Sequence, residues 1–181
     1  MRRANMAGQI RGIVVMGVAG CGKSSVGAAI ADRYQGRLIE GDAFHPAANI
    51  AKMSAGVPLT DEDRHGWLCR LSEEVAAALA AGERPVLTCS ALRKSYRDLL
   101  RQGEPGLGFV FLDLARDLAG ERVAKRPGHF MPASLVESQY RTLEPPHQEP
   151  LTLAVDASLP LEAIAEQAVQ WWRKANGTNP A

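Results

Sequence analysis

The chain has 181 residues, 46% of them hydrophobic and 23% charged, proportions ordinary for one globular domain and unlike those of disordered, collagen-like or coiled-coil sequences. Its 21 Lys and Arg balance 20 Asp and Glu for a net charge of +1, so no bulk positive field favours nucleic acid or a membrane surface, and any anion site is local. No apolar run approaches the roughly 18 residues that span a bilayer, no secretory signal is evident, and three widely spaced cysteines, Cys21, Cys69 and Cys89, suggest neither a disulfide framework nor a zinc site; the expected compartment is the cytoplasm.

Met1–Gln9 reads as a loose tail, and Ile10–Met16 as a short apolar strand that runs into a glycine-rich turn. A helix pattern with Val26, Ile30 and Tyr34 on one side follows, then a second short strand at Arg37–Glu40 that ends at Gly41-Asp42. His45–Pro58 reads as irregular to helical, and Thr60-Asp61-Glu62-Asp63 as a helix start with acidic residues beside the positive end of the dipole. That helix runs through Val75 and Leu79 and stops near Gly82. Pro85–Cys89, Gly108–Leu114 and Thr152–Val155 read as further strands, separated by helices at Ala91–Arg101 and Arg116–Lys125 and followed by one at Leu161–Lys174. Five apolar strands alternating with helices imply an α/β fold: a parallel sheet, helices on both faces, and ligands beyond the strands' C-terminal ends. The expectation is one domain over residues 10–175 with a loose end over 176–181.

Gly17-Val-Ala-Gly-Cys-Gly-Lys23-Ser24 satisfies G-x-x-x-x-G-K-[ST] between a predicted strand and a predicted helix, the context this phosphate-binding loop requires. Gly17, Gly20 and Gly22 let the backbone turn so that the N–H groups through Cys21, Lys23, Ser24 and Ser25 face the phosphates of a nucleotide. Lys23 reaches the β/γ-phosphates and Ser24 ligates Mg²⁺. Cys21 lies near a helix N-terminus and Lys23, both of which favour a thiolate; it is either an oxidation-sensitive group or a small space-filler.

A phosphate loop alone does not separate kinases from nucleotide-dependent switches. Asp42 sits just after the second strand, where a carboxylate either activates an attacking hydroxyl or caps a turn. His45 and Lys52 either reach an acceptor or decorate a surface loop. Arg64 follows the acidic cluster beside Trp67, and Arg93 and Arg97 are four residues apart, either a carboxylate-holding fork or a solvated basic face. Arg122 and Arg126 repeat that spacing before Pro127-Gly128-His129-Phe130, either as exposed helix arginines or on a lid over about residues 122–134 that would bring cations to the transferring phosphoryl group, and His129 is either a lid donor or a surface histidine.

The phosphate loop, the His45-Pro46/Asn49-Ile50/Lys52-Met53 block after Gly41-Asp42, Pro58-Leu59 with Asp61–Arg64 and Trp67-Leu68, Cys89-Ser90-Ala91-Leu92 with Tyr96-Arg97-Asp98, and Gly128–Met131 with Gln139 together resemble gluconokinases of the small phosphate-loop kinase group. The resemblance runs from about Ile13 to Ile164, with Gly66, Ala19 and Cys21 as modest departures. It implies ATP- and Mg²⁺-dependent phosphorylation of D-gluconate at its terminal (6-) hydroxyl. It also implies Asp42 as the residue that orients or activates that hydroxyl and an acceptor-binding insertion over about residues 42–68. Arg64, Arg93 and Arg97, joined by His45, Lys52, Trp67, His129 and Gln139, would be substrate contacts, and Arg122 and Arg126 the lid cations. Another small-metabolite kinase, for shikimate or a nucleotide, is the nearest alternative and a nucleotide-dependent switch the next. A homodimer is expected by the default of small enzymes.

Overall fold

A strand with apolar residues on both sides needs a helix layer on each face, and β1 (Gly12–Met16), buried along its whole length, sets that pattern. The computed structural model describes residues 8–127 and 132–178. Around β1 stand β2 (Arg37–Glu40), β3 (Pro85–Thr88), β4 (Leu107–Asp113) and β5 (Thr152–Asp156), in the order β2-β3-β1-β4-β5. Every pairing is parallel, with Val14 opposite both Leu87 and Phe109.

Alternate residues of β1 enter opposite cores. Ile13 and Val15 join Ile30, Ile164 and Val169 from α1 (Lys23–Tyr34) and α7 (Leu161–Ala175). Val14 and Met16 join Leu71 and Leu100 from α3 (Asp61–Ala80) and α4 (Lys94–Gly103). Each such side chain contributes about 1.5–3 kcal/mol through the apolar surface it removes from water. This is the three-layer α/β arrangement the alternation predicts. Among the described residues no helix is long and apolar enough to cross a membrane.

The local starts and stops follow their residues. α1 carries Val26, Ile30 and Tyr34 on its buried face and ends at Gln35 in the left-handed region. α3 opens with a capping box, in which the Thr60 hydroxyl accepts from the Asp63 N–H and the Asp63 carboxylate from the Thr60 N–H.

Several boundaries differ from the sequence reading. The first strand begins at Gly12 rather than Ile10, whose N–H is taken instead by the Asn176 Oδ1 at 2.8 Å. The helix after β3 begins at Lys94 rather than Ala91, because Ala91 is left-handed (φ 45°) and Arg93 extended. The segment after β2 resolves into a 3-10 turn at Gly41–Phe44 and α2 (Ala47–Ser54). After α5 (Arg116–Ala124) comes a further helix, α6 (Ala133–Thr142), which the sequence reading did not include. Of the expected tail, lid and loose end, residues 1–7, 128–131 and 179–181 lie outside the described residues.

Candidate active site

The loops that leave β1, β2 and β3 at their C-terminal ends open on one cleft, joined from above by α5 and α6. The cleft is open to solvent on one side, as a site that admits small molecules must be.

On one side lies the phosphate loop. Gly20 has φ 81°, and a β-carbon there would meet the Ala119 carbonyl oxygen at 2.9 Å, so only glycine makes this turn against α5. Gly22, left-handed, stands at the N-cap of α1 with no side chain capping the helix; first-turn N–H groups have no intrahelical partner, and Gly22, Lys23 and Ser24 line the cleft. The Lys23 ammonium folds back to donate to the Gly17 and Val18 carbonyls, 3.1 Å each. The Ala19 N–H donates to the Gln139 Oε1 at 2.7 Å, which ties the loop to α6. The Ser24 hydroxyl donates to the Glu40 Oε2 at 3.0 Å, and the Thr88 hydroxyl to the same oxygen at 2.7 Å.

Across the cleft the end of β2 sets the geometry. Gly41 packs so tightly on β3 that a β-carbon would lie 2.1 Å from the Thr88 carbonyl oxygen, and its own carbonyl accepts from the Trp67 indole N–H at 2.8 Å. Asp42 is thereby held at the cleft, its carboxylate well exposed and 3.8 Å from the His45 Nε2. His45 stacks on Trp67 with centroids 4.0 Å apart and an 18° interplanar angle. Burial, helped by Arg64 and opposed by Asp42, holds the His45 pKa below its usual value, so the ring is neutral. The Arg64 guanidinium donates to the Leu59 carbonyl at 2.5 Å and to the Tyr96 hydroxyl at 3.2 Å and lies over the Tyr96 ring.

Gly20, Gly22, Lys23, Ser24, Asp42, His45, Arg64, Trp67, Arg126 and Gln139 therefore meet around one space. Other expected residues do not reach it. Lys52 is engaged by the Asp63 carboxylate, 2.8 Å to each oxygen, and its hydrogen bond, with the Thr60 N–H, draws Asp63 down to about 2. Arg93 is no helix-face partner of Arg97: it precedes α4 in extended backbone and pairs with Asp61 at 3.3 Å. Arg97 is wholly buried against Glu149 and does not line the cleft. Arg122 donates to the Ala157 carbonyl at 3.2 Å and does not line the cleft. Gly17 and Ser25 belong to the loop and to the first turn of α1 without lining the cleft. His129 lies outside the described residues. Cys21 is buried, and desolvation outweighs the pull of Lys23, so its pKa is raised and the expected thiolate is not favoured.

Sequence reasoning passed over Glu40, Ser90 and α6. Glu40 closes a strand two residues before Asp42, and Ser90 follows β3 at the same sheet edge, so both carried the edge signal used for Asp42. Val136, Tyr140 and Leu143 at the end of α6 show the i, i+4, i+7 apolar spacing of a helix, a signal the sequence reading did not use.

No family model matches the chain. It is 42% identical over 160 residues to the gluconokinase of Gluconobacter oxydans (strain 621H), covering 88% of this chain and 90% of that protein. The crystal structure of a gluconokinase from Sinorhizobium meliloti 1021 superposes with a TM-score of 0.82 at 48% identity, over 93% of this chain and 95% of that one. The APS kinase of Mycobacterium tuberculosis, solved in complex with AMPPNP and APS, has a TM-score of 0.62 at 22% identity over 90% of this chain and 98% of that one, a likeness of fold.

Proposed function

The chain belongs to the gluconokinase family, and from that premise we propose that it transfers the γ-phosphoryl group of ATP to the terminal (6-) hydroxyl of D-gluconate, giving 6-phosphogluconate and ADP. The observation that carries this reading is the single cleft in which the phosphate loop faces Asp42, His45 and Arg64. A kinase must hold a nucleotide phosphate and a hydroxyl in line, and here one wall supplies N–H donors and Lys23 while the other supplies a carboxylate, a cation and a neutral donor ring.

In the proposed mechanism the Asp42 carboxylate accepts the hydroxyl proton as that oxygen bonds to the γ-phosphorus, and the bond to the ADP oxygen breaks. Lys23 and Arg126 offset the charge on the phosphoryl oxygens. Arg64 faces the acceptor's carboxylate, and His45, flat on Trp67, orients its hydroxyls. The donors that meet at Ser24 and Glu40 are hard oxygens suited to Mg²⁺; when bound, the ion would neutralise phosphate charge. We assign residues 10–175 to one domain, with 42–68 as the acceptor segment and 122–134 as the lid segment, and place the enzyme in the cytoplasm, in keeping with its free Cys21, Cys69 and Cys89.

The test is ADP release from Mg-ATP with D-gluconate, shikimate, nucleoside monophosphates or no acceptor. Release that depends on gluconate is the expected result. Release with a different acceptor alone would replace the substrate, and acceptor-independent hydrolysis alone would remove the kinase reading.

A further inference from the structure

Arg97 heads the fully buried side chains of the described residues in size, and it carries a charge. A buried cation is tolerated where its donors are matched, and the matches here are specific. Nε and Nη2 hold the Glu149 carboxylate at 2.5–3.1 Å. Nη1 donates to the Ala91 carbonyl at 2.7 Å and the Leu92 carbonyl at 3.1 Å, and Nη2 to the Glu144 carbonyl at 2.8 Å. Salt-bridge formation alone would need only the carboxylate; the three carbonyls belong to two chain segments, the turn after β3, which borders the cleft, and the exit of α6.

The first segment is the turn after β3. Ala91 sits there at φ 45°, a left-handed conformation that a residue with a β-carbon keeps only when its surroundings hold it. The preceding residue, Ser90, lines the cleft, and its carbonyl accepts from the Gly17 N–H at 3.3 Å. The second segment is the exit of α6, where the Glu144 N–H donates to the Leu92 carbonyl at 2.8 Å and the Glu144 carboxylate accepts from the Lys94 N–H at 2.6 Å. One and a half turns earlier, Gln139 holds the Ala19 N–H.

We propose that Arg97 is a positioning residue: its guanidinium holds the Ser90-Ala91 turn in its left-handed form and fastens it to the exit of α6, so that the Ser90 side of the cleft, which continues the strand that clamps Gly41 before Asp42, is already formed before substrate arrives. This rests on the kinase reading above for the identity of the acceptor. It also replaces the sequence-based role of Arg97 as a direct substrate contact.

The experiment compares Arg97→Lys, Arg97→Lys with Ala91→Gly, and Arg101→Met. Lysine keeps the charge beside Glu149 but cannot reach three carbonyls, so the acceptor KM rises about tenfold, and because the Ser90 carbonyl also holds the Gly17 N–H the KM for ATP rises with it by a smaller factor. Glycine adopts the left-handed turn without steric cost, so the double variant regains most of the acceptor KM. Arg101 also pairs with Glu149, at 2.7 Å, and lies over Phe109 but touches neither Ala91 nor Leu92; Arg101→Met lowers Tm with the acceptor KM unchanged. Equal loss of Tm in Arg97→Lys and Arg101→Met with an unchanged acceptor KM in both would overturn the proposal, as would a double variant with no recovery. Should Arg97→Lys not fold, Arg97→Met loses the same three carbonyl bonds while Glu149 keeps its pair with Arg101, and raises the acceptor KM; an unchanged value overturns the proposal. Amide exchange without substrate separates this question from the substrate assignment: the Lys94 and Glu144 N–H groups exchange faster in Arg97→Lys than in Arg101→Met whichever acceptor the wild type uses.

Discussion

Ser24 and Glu40, separated by 16 residues in sequence, meet at 3.0 Å, where the first turn of α1 faces the last residue of β2. The Thr88 hydroxyl, from β3, fixes the same carboxylate oxygen at 2.7 Å. The pair places a hydroxyl and a carboxylate at the mouth of the phosphate loop, on oxygens whose positions are set by three different elements rather than by one mobile loop.

Glu40→Gln keeps the shape of this corner and removes its charge. The expected result is a roughly tenfold increase in the Mg²⁺ concentration needed for half-maximal rate, with a smaller loss at saturating Mg²⁺, because a neutral amide oxygen is a weaker partner for a hard cation. Titration of Mg²⁺ against nucleotide binding checks the same point without turnover. Identical titrations for the variant and the wild type would take Glu40 out of the site.

Asp42 stands at the opposite wall as the proposed base, beside the neutral His45. Removal of a positioned general base costs about 10²–10⁴ in rate, so Asp42→Asn is expected to lower kcat by at least the smaller of these factors with ATP affinity retained. Its carboxylate is exposed and contributes little to packing, so Tm should hold. Near-normal turnover in this variant would remove the assignment.

The reach of the sequence is different for these parts. Strand and helix alternation fixes the layers, since apolar residues on both sides of β1 leave no other way to bury them, and the phosphate loop is contiguous, so its chemistry is readable in eight residues. The acceptor wall is not contiguous. Arg93 and Arg97 have the spacing of a shared helix face, but spacing does not say which way a face points, nor that Ala91 is left-handed and delays the helix past Arg93. What turns Arg97 inward is Glu149, 52 residues away. Lys52 is likewise drawn off by Asp63, whose carboxylate also caps α3. These are long-range pairings, and local pattern carries no trace of them.

The three thiols should react unequally. Cys21 and Cys89 are buried, and burial pushes the Cys89 thiol up to about 12 and raises that of Cys21, so both stay protonated and poorly nucleophilic near neutral pH. Iodoacetamide at pH 8 is expected to label Cys69, partly exposed on α3, well before the other two, as read by peptide mass spectrometry. The raised Cys89 value also sets the sign of a stability effect. The folded state binds this proton more tightly than the unfolded chain, so the contribution is complete below about pH 9 and is lost as pH rises toward 12. Thermal melts from pH 8 to 10.5 should fall, and Cys89→Ala should flatten the slope; labelling of Cys21 as fast as Cys69 would contradict the burial argument.

Trp67 joins two functions that a substitution can separate. Its ring supports His45 at 4.0 Å, and its indole N–H holds the Gly41 carbonyl at 2.8 Å, one residue before Asp42. Trp67→Phe preserves an aromatic surface for the stack but leaves a carbonyl unpaired beside β3, a loss of about 1–3 kcal/mol when the site is buried. Because Gly41 is clamped against the Thr88 carbonyl, relaxation there moves Asp42 rather than the strand. The expected outcome is a severalfold loss of kcat with a smaller change in acceptor KM, since misplacement of a base costs the chemical step more than ground-state binding. Trp67→Ala removes the stack as well and should raise the acceptor KM in addition. Steady-state kinetics on the two variants decides the matter: if Trp67→Phe raises KM with kcat intact, the indole N–H serves acceptor binding and not the placement of Asp42.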